Sequence, residues 1–279
     1  MRVTRIPLDS ILREPTRFNS SNHPTAQGGQ PEDYRDVIAR CDARHWIHAF
    51  HPGHTSVTIP RKEVGWLWDA LAIGSLRKRI PKQYEDEIEE LAKAIEPSFP
   101  PGPPRFVRTD RTSLKTGVHG AGPYHTAKQV VESMVTCRLG HHPFERTDET
   151  ITLYIMPWLE LDKDKEFRVF VHAGRVTAIS QQFIYQSNAW LTRMDETGVG
   201  HVADTIVSFV ERSVVPKLRP TLDSFVLDLV AVGDDATFHP IEINPFGAEY
   251  TSGSACFHWL EDADVLCGRS EPELRFVMP

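Results

Sequence analysis

Several things are scarce in this sequence. It has only four cysteines (Cys41, Cys137, Cys256 and Cys267), and no two are close enough to form a CxxC pair. That spacing excludes a zinc ribbon or a disulfide framework and fits reduced thiols. No apolar run approaches the roughly 18–20 residues that cross a bilayer, so no membrane partner is expected. The start, Met1-Arg2-Val3-Thr4-Arg5-Ile6-Pro7, lacks the apolar core of a secretory signal, so a cytoplasmic location is expected. A basic surplus is also missing: Lys and Arg number 31 against 38 Asp and Glu, a formal charge of -7. Polyanion binding works by replacing phosphate counterions, so no nucleic-acid partner is expected.

What remains is the composition of a folded chain. Its 279 residues are 40% hydrophobic and 25% charged, and the length exceeds that of most single domains. Residues 31–41 read as a short helix, 54–59 as a strand, and 63–73 as a buried aromatic-rich helix or a strand-to-helix junction. Residues 82–95 form an amphipathic helix with Tyr84, Ile88, Leu91 and Ile95 on one face. Five prolines in residues 97–104 make a stiff connector. Residues 105–108 follow as a strand. Thr126 and Gln129 have capping-box spacing before a helix over 127–137.

In the second half, 151–156 is a strand, and 167–171 with 176–180 form a hairpin. Residues 202–218 carry a helical period, and 225–232 with 237–244 form a second hairpin turning at Gly233-Asp234-Asp235. The class is α+β with antiparallel hairpins. The expected segments are 1–100 as an N-terminal lobe, 101–152 as a covering subdomain with a loop, and 153–279 as a C-terminal lobe.

The second hairpin carries the chemistry. Asp228 lies mid-strand among apolar residues, while Glu242 and Asn244 are two apart and share a face of the next strand. Two carboxylates and an amide oxygen are hard donors suited to Mg²⁺. The plainer reading is a solvated polar face. Against it stand the apolar flanks and the rigid Asn244-Pro245-Phe246-Gly247 ending, since an acid buried there needs a partner. In the first hairpin Arg168 shares a face with Glu166 and Phe170. It reads either as a phosphate fork or as half of an ordinary ladder pair.

Taken in order, RFVRTDRTSLK (105–115), LYIMPWLEL (153–161), EFRVFVHAGRVTAISQ (166–181), FVLDLV (225–230) and IEINPFG (241–247) resemble the cell division cycle protein 123 family. That family is a branch of the ATP-grasp superfamily, distantly similar to tubulin-tyrosine-ligase-like enzymes. The resemblance runs from about residue 45 through a Ser-Glu-Pro-Glu-Leu-Arg-Phe tail. It implies an ATP-grasp fold, two α+β lobes with antiparallel sheets holding ATP between them. It places Mg²⁺ on Asp228, Glu242 and Asn244, with Asp228 also near the nucleotide, and sets Arg168 on the phosphates. Ile155, Met156, Pro157 and Trp158 fall on a hinge whose backbone meets adenine, and Asp162 falls near the ribose. Lys115 lies in a loop that covers the phosphates, with Gly117, Gly120 and Gly122 giving the loop freedom to close.

Departures from the family are Arg108, where a lysine is usual, Arg111 in place of a tryptophan, and no long acidic insertion before Lys82. Arg105, Arg108, Arg111 and Lys115 would then make a cationic strip, with Arg108, Lys115 and Arg168 positioning phosphate. The leading expectation is a carboxylate–amine, peptide-forming ligase acting through an acylphosphate, with catalytic roles for Arg168 and Lys115. Its carboxylate and amine substrates would meet variable loops at 141–150 and 192–200. The alternatives are an ATP-binding assembly chaperone for a trimeric translation initiation factor, and an ATP-dependent phosphotransferase or protein-modifying enzyme.

Other features read as structural. His45, His48, His51 and His54 tempt a metal assignment, but Pro52-Gly53 breaks any helix that would align them. Cys137 and Cys256 lack a neighbouring base and read as buried packing, as do Trp66 and Trp68.

Overall fold

The computed structural model describes residues 1–19, 31–99, 102–219, 221–233, 237–250 and 252–279. Its strands are β1 (Arg2–Pro7), β2 (Thr55–Pro60), β3 (Arg105–Arg108), β4 (Thr150–Pro157), β5 (Glu166–His172), β6 (Arg175–Gln181), β7 (Phe225–Val232), β8 (Thr237–Pro245) and β9 (Glu273–Met278). The α-helices are α1 (Leu8–Arg13), α2 (Tyr34–Arg40), α3 (Ile47–Phe50), α4 (Arg61–Arg77), α5 (Glu85–Ile95), α6 (Ala127–Met134), α7 (Ala189–Thr192), α8 (Glu196–Phe209), α9 (Val215–Leu218) and α10 (Ala263–Leu266). Asp234 and Asp235 of the second hairpin's turn, and Pro100 and Pro101 of the connector, lie outside the described residues.

The chain divides into two compact units, one of residues 1–46 with 161–279 and the other of residues 47–160. The three segments expected from the sequence meet instead at 100/101 and 152/153. The difference has two causes. Strand β4 pairs on both sides within the 47–160 sheet, and β1 pairs with β9 in the other unit.

In the 47–160 unit, β4 is the middle strand of β2-β4-β3, antiparallel to both neighbours. Residues 63–73 resolve as helix: Val64, Leu67, Ala70, Leu71 and Gly74 of α4 are buried at helical spacing. Ile88, Leu91, Ala92 and Ile95 of α5 join them in one core with Leu153 and Ile155 of β4. Trp66 and Trp68 pack partly buried against that core. The capping box at Thr126 forms, with both its bonds to Gln129 made.

The other unit is built on a six-stranded sheet in the order β1-β9-β6-β5-β7-β8. Hairpins β5-β6 and β7-β8 are antiparallel, as expected, and the structure adds an antiparallel pairing of β5 with β7. The first hairpin turns through Ala173 (φ 49°) and Gly174 (φ 75°), a two-residue turn whose twist suits the flanking strands. Its other flank departs from the expectation, because β9 runs parallel to both β6 and β1, making the sheet mixed. Strand β7 is buried along nearly all its length, so both faces of the sheet are covered there. On one face Phe170 meets Phe257 and Trp259 edge-on, at 5.6 and 5.4 Å. Residues 196–200, expected to be loop, are the first turn of α8, capped by Asp195. Among the described residues no helix is long and apolar enough to cross a membrane.

Candidate functional site

Arg168 on β5 stands directly across from Asp228 on β7, which stands directly across from Glu242 on β8. Asn244 faces Val226 two pairs further along. A bulge after Asp228 skips Ile241, and this brings Glu242 and Asn244 onto the same face as Asp228. The three expected oxygen ligands are thus gathered by the ladder. Asn244 Nδ2 lies 3.3 Å from Asp228 Oδ2, and a half-turn of the amide would present its oxygen instead.

Asp228 is 3% exposed, which makes the solvated-face reading untenable for it. Its charge is met by Arg168, whose Nε donates to Oδ1 at 2.8 Å and Nη2 to Oδ2 at 2.7 Å. Nη1 donates to the Gly253 carbonyl at 2.7 Å. Burial opposes the guanidinium charge, but the carboxylates of Asp228, Glu242 and Glu166 outweigh it and hold Arg168 above its ordinary value. Glu242 is half-buried and its charge also reaches Cys41. Burial, then Asp42, pushes the Cys41 thiol up to about 12, so it is no nucleophile.

This donor set fits a hard divalent ion: two carboxylates, with an amide beside them, on adjoining strands, and one lone pair on each Asp228 oxygen outside the Arg168 fork. Among the described residues no group of three or more His, Cys, Asp and Glu could hold a metal, and this site has only two acids. Asp162 is exposed, and its side chain accepts from Asp164 N at 3.0 Å, capping the turn at 163–165.

The residues expected in the 47–160 unit fare unevenly. Arg108 is 2% exposed and its Nε donates to the Thr109 carbonyl. Arg111 is held by Glu145 at 3.1 Å and Asp148 at 2.9 Å. The cationic strip is therefore not a row of exposed charges: one arginine is buried and another is paired. Lys115 is exposed. Its segment is pinned rather than free, because Val118 N donates to Thr136 Oγ1 and His119 N to Ser133 Oγ. Gly117 serves this packing, since a Cβ there would stand 2.6 Å from Ser133 O.

Ile155 and Met156 are buried in the last pairs of β4. Pro157 lies two residues beyond the final β2 pair, where its missing N–H costs no ladder bond. Trp158 N donates to the Pro104 carbonyl, and Trp158 Nε1 to Glu160. His48 and His54 pack edge-on at 4.5 Å, with His54 against Tyr154. Cys137 and Cys256 are buried, and burial raises both thiols, Cys256 to about 12.

Sequence reasoning missed a buried charge cluster at the other flank of the sheet. Glu273 accepts from Thr4, Arg2 and Arg275, and Asp262 accepts from Arg275 and Arg17. The tail's Glu-Leu-Arg alternation, Glu273 and Arg275 on one face, was the available signal.

The D123 family model matches residues 129–279. The chain belongs to the D123 family. A translation initiation factor eIF2 assembly protein from Candida albicans is 32% identical over 114 residues, which are 40% of this chain and 30% of that protein. The chain thus matches under a third of that relative's length. The solved structure of Cdc123 from Schizosaccharomyces pombe is similar at a TM-score of 0.61 and 17% identity, over 88% of this chain and 98% of that one. A RimK domain protein ATP-grasp from Sphaerobacter thermophilus is similar at a TM-score of 0.36 and 13% identity, over 83% and 66%. The α+β fold with antiparallel hairpins that the sequence led us to expect is the fold this chain shares with the Cdc123 structure.

Proposed function

We propose that this D123-family chain binds ATP with Mg²⁺ and serves the assembly of a protein complex, a translation initiation factor being the first candidate. The observation that carries the nucleotide reading is the row Arg168–Asp228–Glu242 with Asn244 beside it, gathered on three adjoining strands. Asp228, Glu242 and Asn244 would hold the metal. When bound, Mg²⁺ neutralises phosphate oxygens. The protein's own part is to fix those three donors in one place, with the Arg168 fork holding the plane of the Asp228 carboxylate.

Lys115, as an exposed cation, is proposed to meet phosphate. Ile155, Met156, Pro157 and Trp158 are proposed to meet adenine: Pro157 follows the last β2 pair, so its carbonyl faces the side that β2 has left. Asp162 is the proposed ribose contact. Arg108, being buried, is better read as a packing charge than as a nucleotide ligand.

The assembly role rests on the name of the Candida albicans relative. The ligase reading, first on fold analogy, falls behind it, because fold is a weak warrant for a reaction. No residue described above points to a carboxylate or amine acceptor.

One pair of measurements separates the readings. Subunits of a trimeric initiation factor are mixed with this protein, with and without ATP–Mg²⁺, and complex formation is followed by size-exclusion chromatography. ADP and phosphate release is measured across amino acids and peptides. Nucleotide-dependent complex formation without substrate-stimulated release supports assembly. Substrate-stimulated release with no effect on complex formation overturns it in favour of the ligase.

A further inference from the structure

Arg168 was expected to reach the nucleotide phosphates, but its geometry assigns it another task. All three of its donor-bearing nitrogens are engaged: Nε and Nη2 on the two oxygens of Asp228, Nη1 on the Gly253 carbonyl. The side chain is 11% exposed, and the carboxylate it holds lies directly across the ladder. A two-pronged fork is the arrangement that best fixes a carboxylate's plane. Gly253 closes the other side, for a Cβ there would stand 2.8 Å from Nη1. An arginine free to follow a phosphate would need at least one arm outside this clamp.

We infer that Arg168 is a positioning residue for the metal. It orients Asp228 so that the lone pairs left outside the fork serve the cation, and it makes no phosphate contact of its own. The inference rests on the nucleotide-binding reading above and gives the same site a second layer. Partners that orient a metal ligand from behind change metal affinity by about 10–100-fold when removed. A phosphate contact would instead change nucleotide affinity whether or not metal is present.

The test uses the full chain and Mn²⁺ as the probe, with free Mn²⁺ read by electron paramagnetic resonance in the presence of a non-hydrolysable ATP analogue. Nucleotide affinity is measured separately in EDTA. Arg168→Gln should weaken Mn²⁺ binding by about 10–100-fold while changing affinity in EDTA by less than about twofold. Arg168→Lys keeps the charge but has no fork, so it should fall between, and Gly253→Ala should move the same way by displacing Nη1. A metal-free thermal melt adds a readout independent of loading. Asp228→Asn should restore part of the stability lost in Arg168→Gln, since it removes the orphaned charge.

Equal weakening with and without metal, or purely additive melting shifts, overturns the positioning role. If Arg168→Gln does not fold, Arg168→Lys and Gly253→Ala decide by the same measurements. Failure of the unaltered protein to bind Mn²⁺ with nucleotide overturns the nucleotide reading and this one together. Intact binding that no variant alters overturns this one alone.

Discussion

Replacing Gly74 by alanine sets two effects of known size against each other. In a helix interior alanine is favoured over glycine by about 0.8–1 kcal/mol, so propensity alone predicts a more stable protein. Packing predicts the reverse. A Cβ at position 74 would stand 2.0 Å from the Val135 carbonyl oxygen and 3.1 Å from its carbon, where ordinary contact begins near 3.4 Å. Helix α4 and the end of α6 would have to part by about 1.4 Å at that point. Neither side yields easily: Leu67, Ala70 and Leu71 are fully buried on α4, and Val135 N is bonded to Val131 O.

Forcing extra volume into a packed core costs about 1–3 kcal/mol, and here the obstacle is backbone, which places Gly74→Ala toward the upper end. The net expectation is a loss of about 1–2 kcal/mol, or roughly 2–4 °C in Tm for each kcal/mol in a chain of 150–250 residues. The disturbance should also travel one residue on. Thr136 holds Val118 N, and Val118 lies three positions past Lys115. Chemical denaturation gives the stability, and hydrogen exchange at Val118 reports the second effect. A Gly74→Ala protein as stable as the parent, with Val118 equally protected, would refute the packing reasoning.

Three further outcomes are expected. Asp228→Asn and Glu242→Gln should each weaken ATP–Mg²⁺ binding at least about tenfold, measured by isothermal titration, and unchanged binding in both would remove the site. For Glu273, burial raises the carboxyl pKa, but bonds from Arg275, Thr4 and Arg2 outweigh that and set it below the ordinary 4.5. The unfolded chain therefore takes up the proton first, and this stability is full above about pH 4.5 and lost as pH falls through the lower folded value. Denaturation midpoints from pH 6 to 3 should show the decline, and Glu273→Gln should flatten its slope; an unaltered slope sinks the assignment. Arg111→Ala should leave nucleotide affinity within about twofold and cost under about 1 kcal/mol, because its pairs with Glu145 and Asp148 are at the surface. A tenfold loss of affinity would restore Arg111 to a binding surface.

What could be read in advance was whatever repeats locally. Thr126 and Gln129, three apart, announced a helix start that forms with both bonds. Alternation in 225–232 and 237–244 announced the hairpin, which with the bulge that skips Ile241 sets Asp228 beside Glu242. Contacts set by the whole fold left no such trace. Nothing within a few residues of Arg111 shows that Glu145 and Asp148 will hold it. The burial of Arg108 follows from the sheet it joins, not from the motif around it. Arg168 and Asp228 were both singled out, but their pairing depends on β5 and β7 being neighbours across 60 positions of chain. The strand β1 was missed because six mixed residues carry little period and its partner β9 lies 271 positions away.

That last pairing bears on how the chain comes to fold as it is synthesised. The stretch 47–160 is continuous, and its three strands meet without waiting for anything beyond β4. Strand β1 is made early, yet its ladder partner is β9, so its edge stays open until β9 has emerged. Closing so long a loop is a slow, late event compared with pairing a hairpin. The inserted stretch is thus free to bury its own core while its host still lacks a strand, and an exposed β1 edge is the liability of that interval.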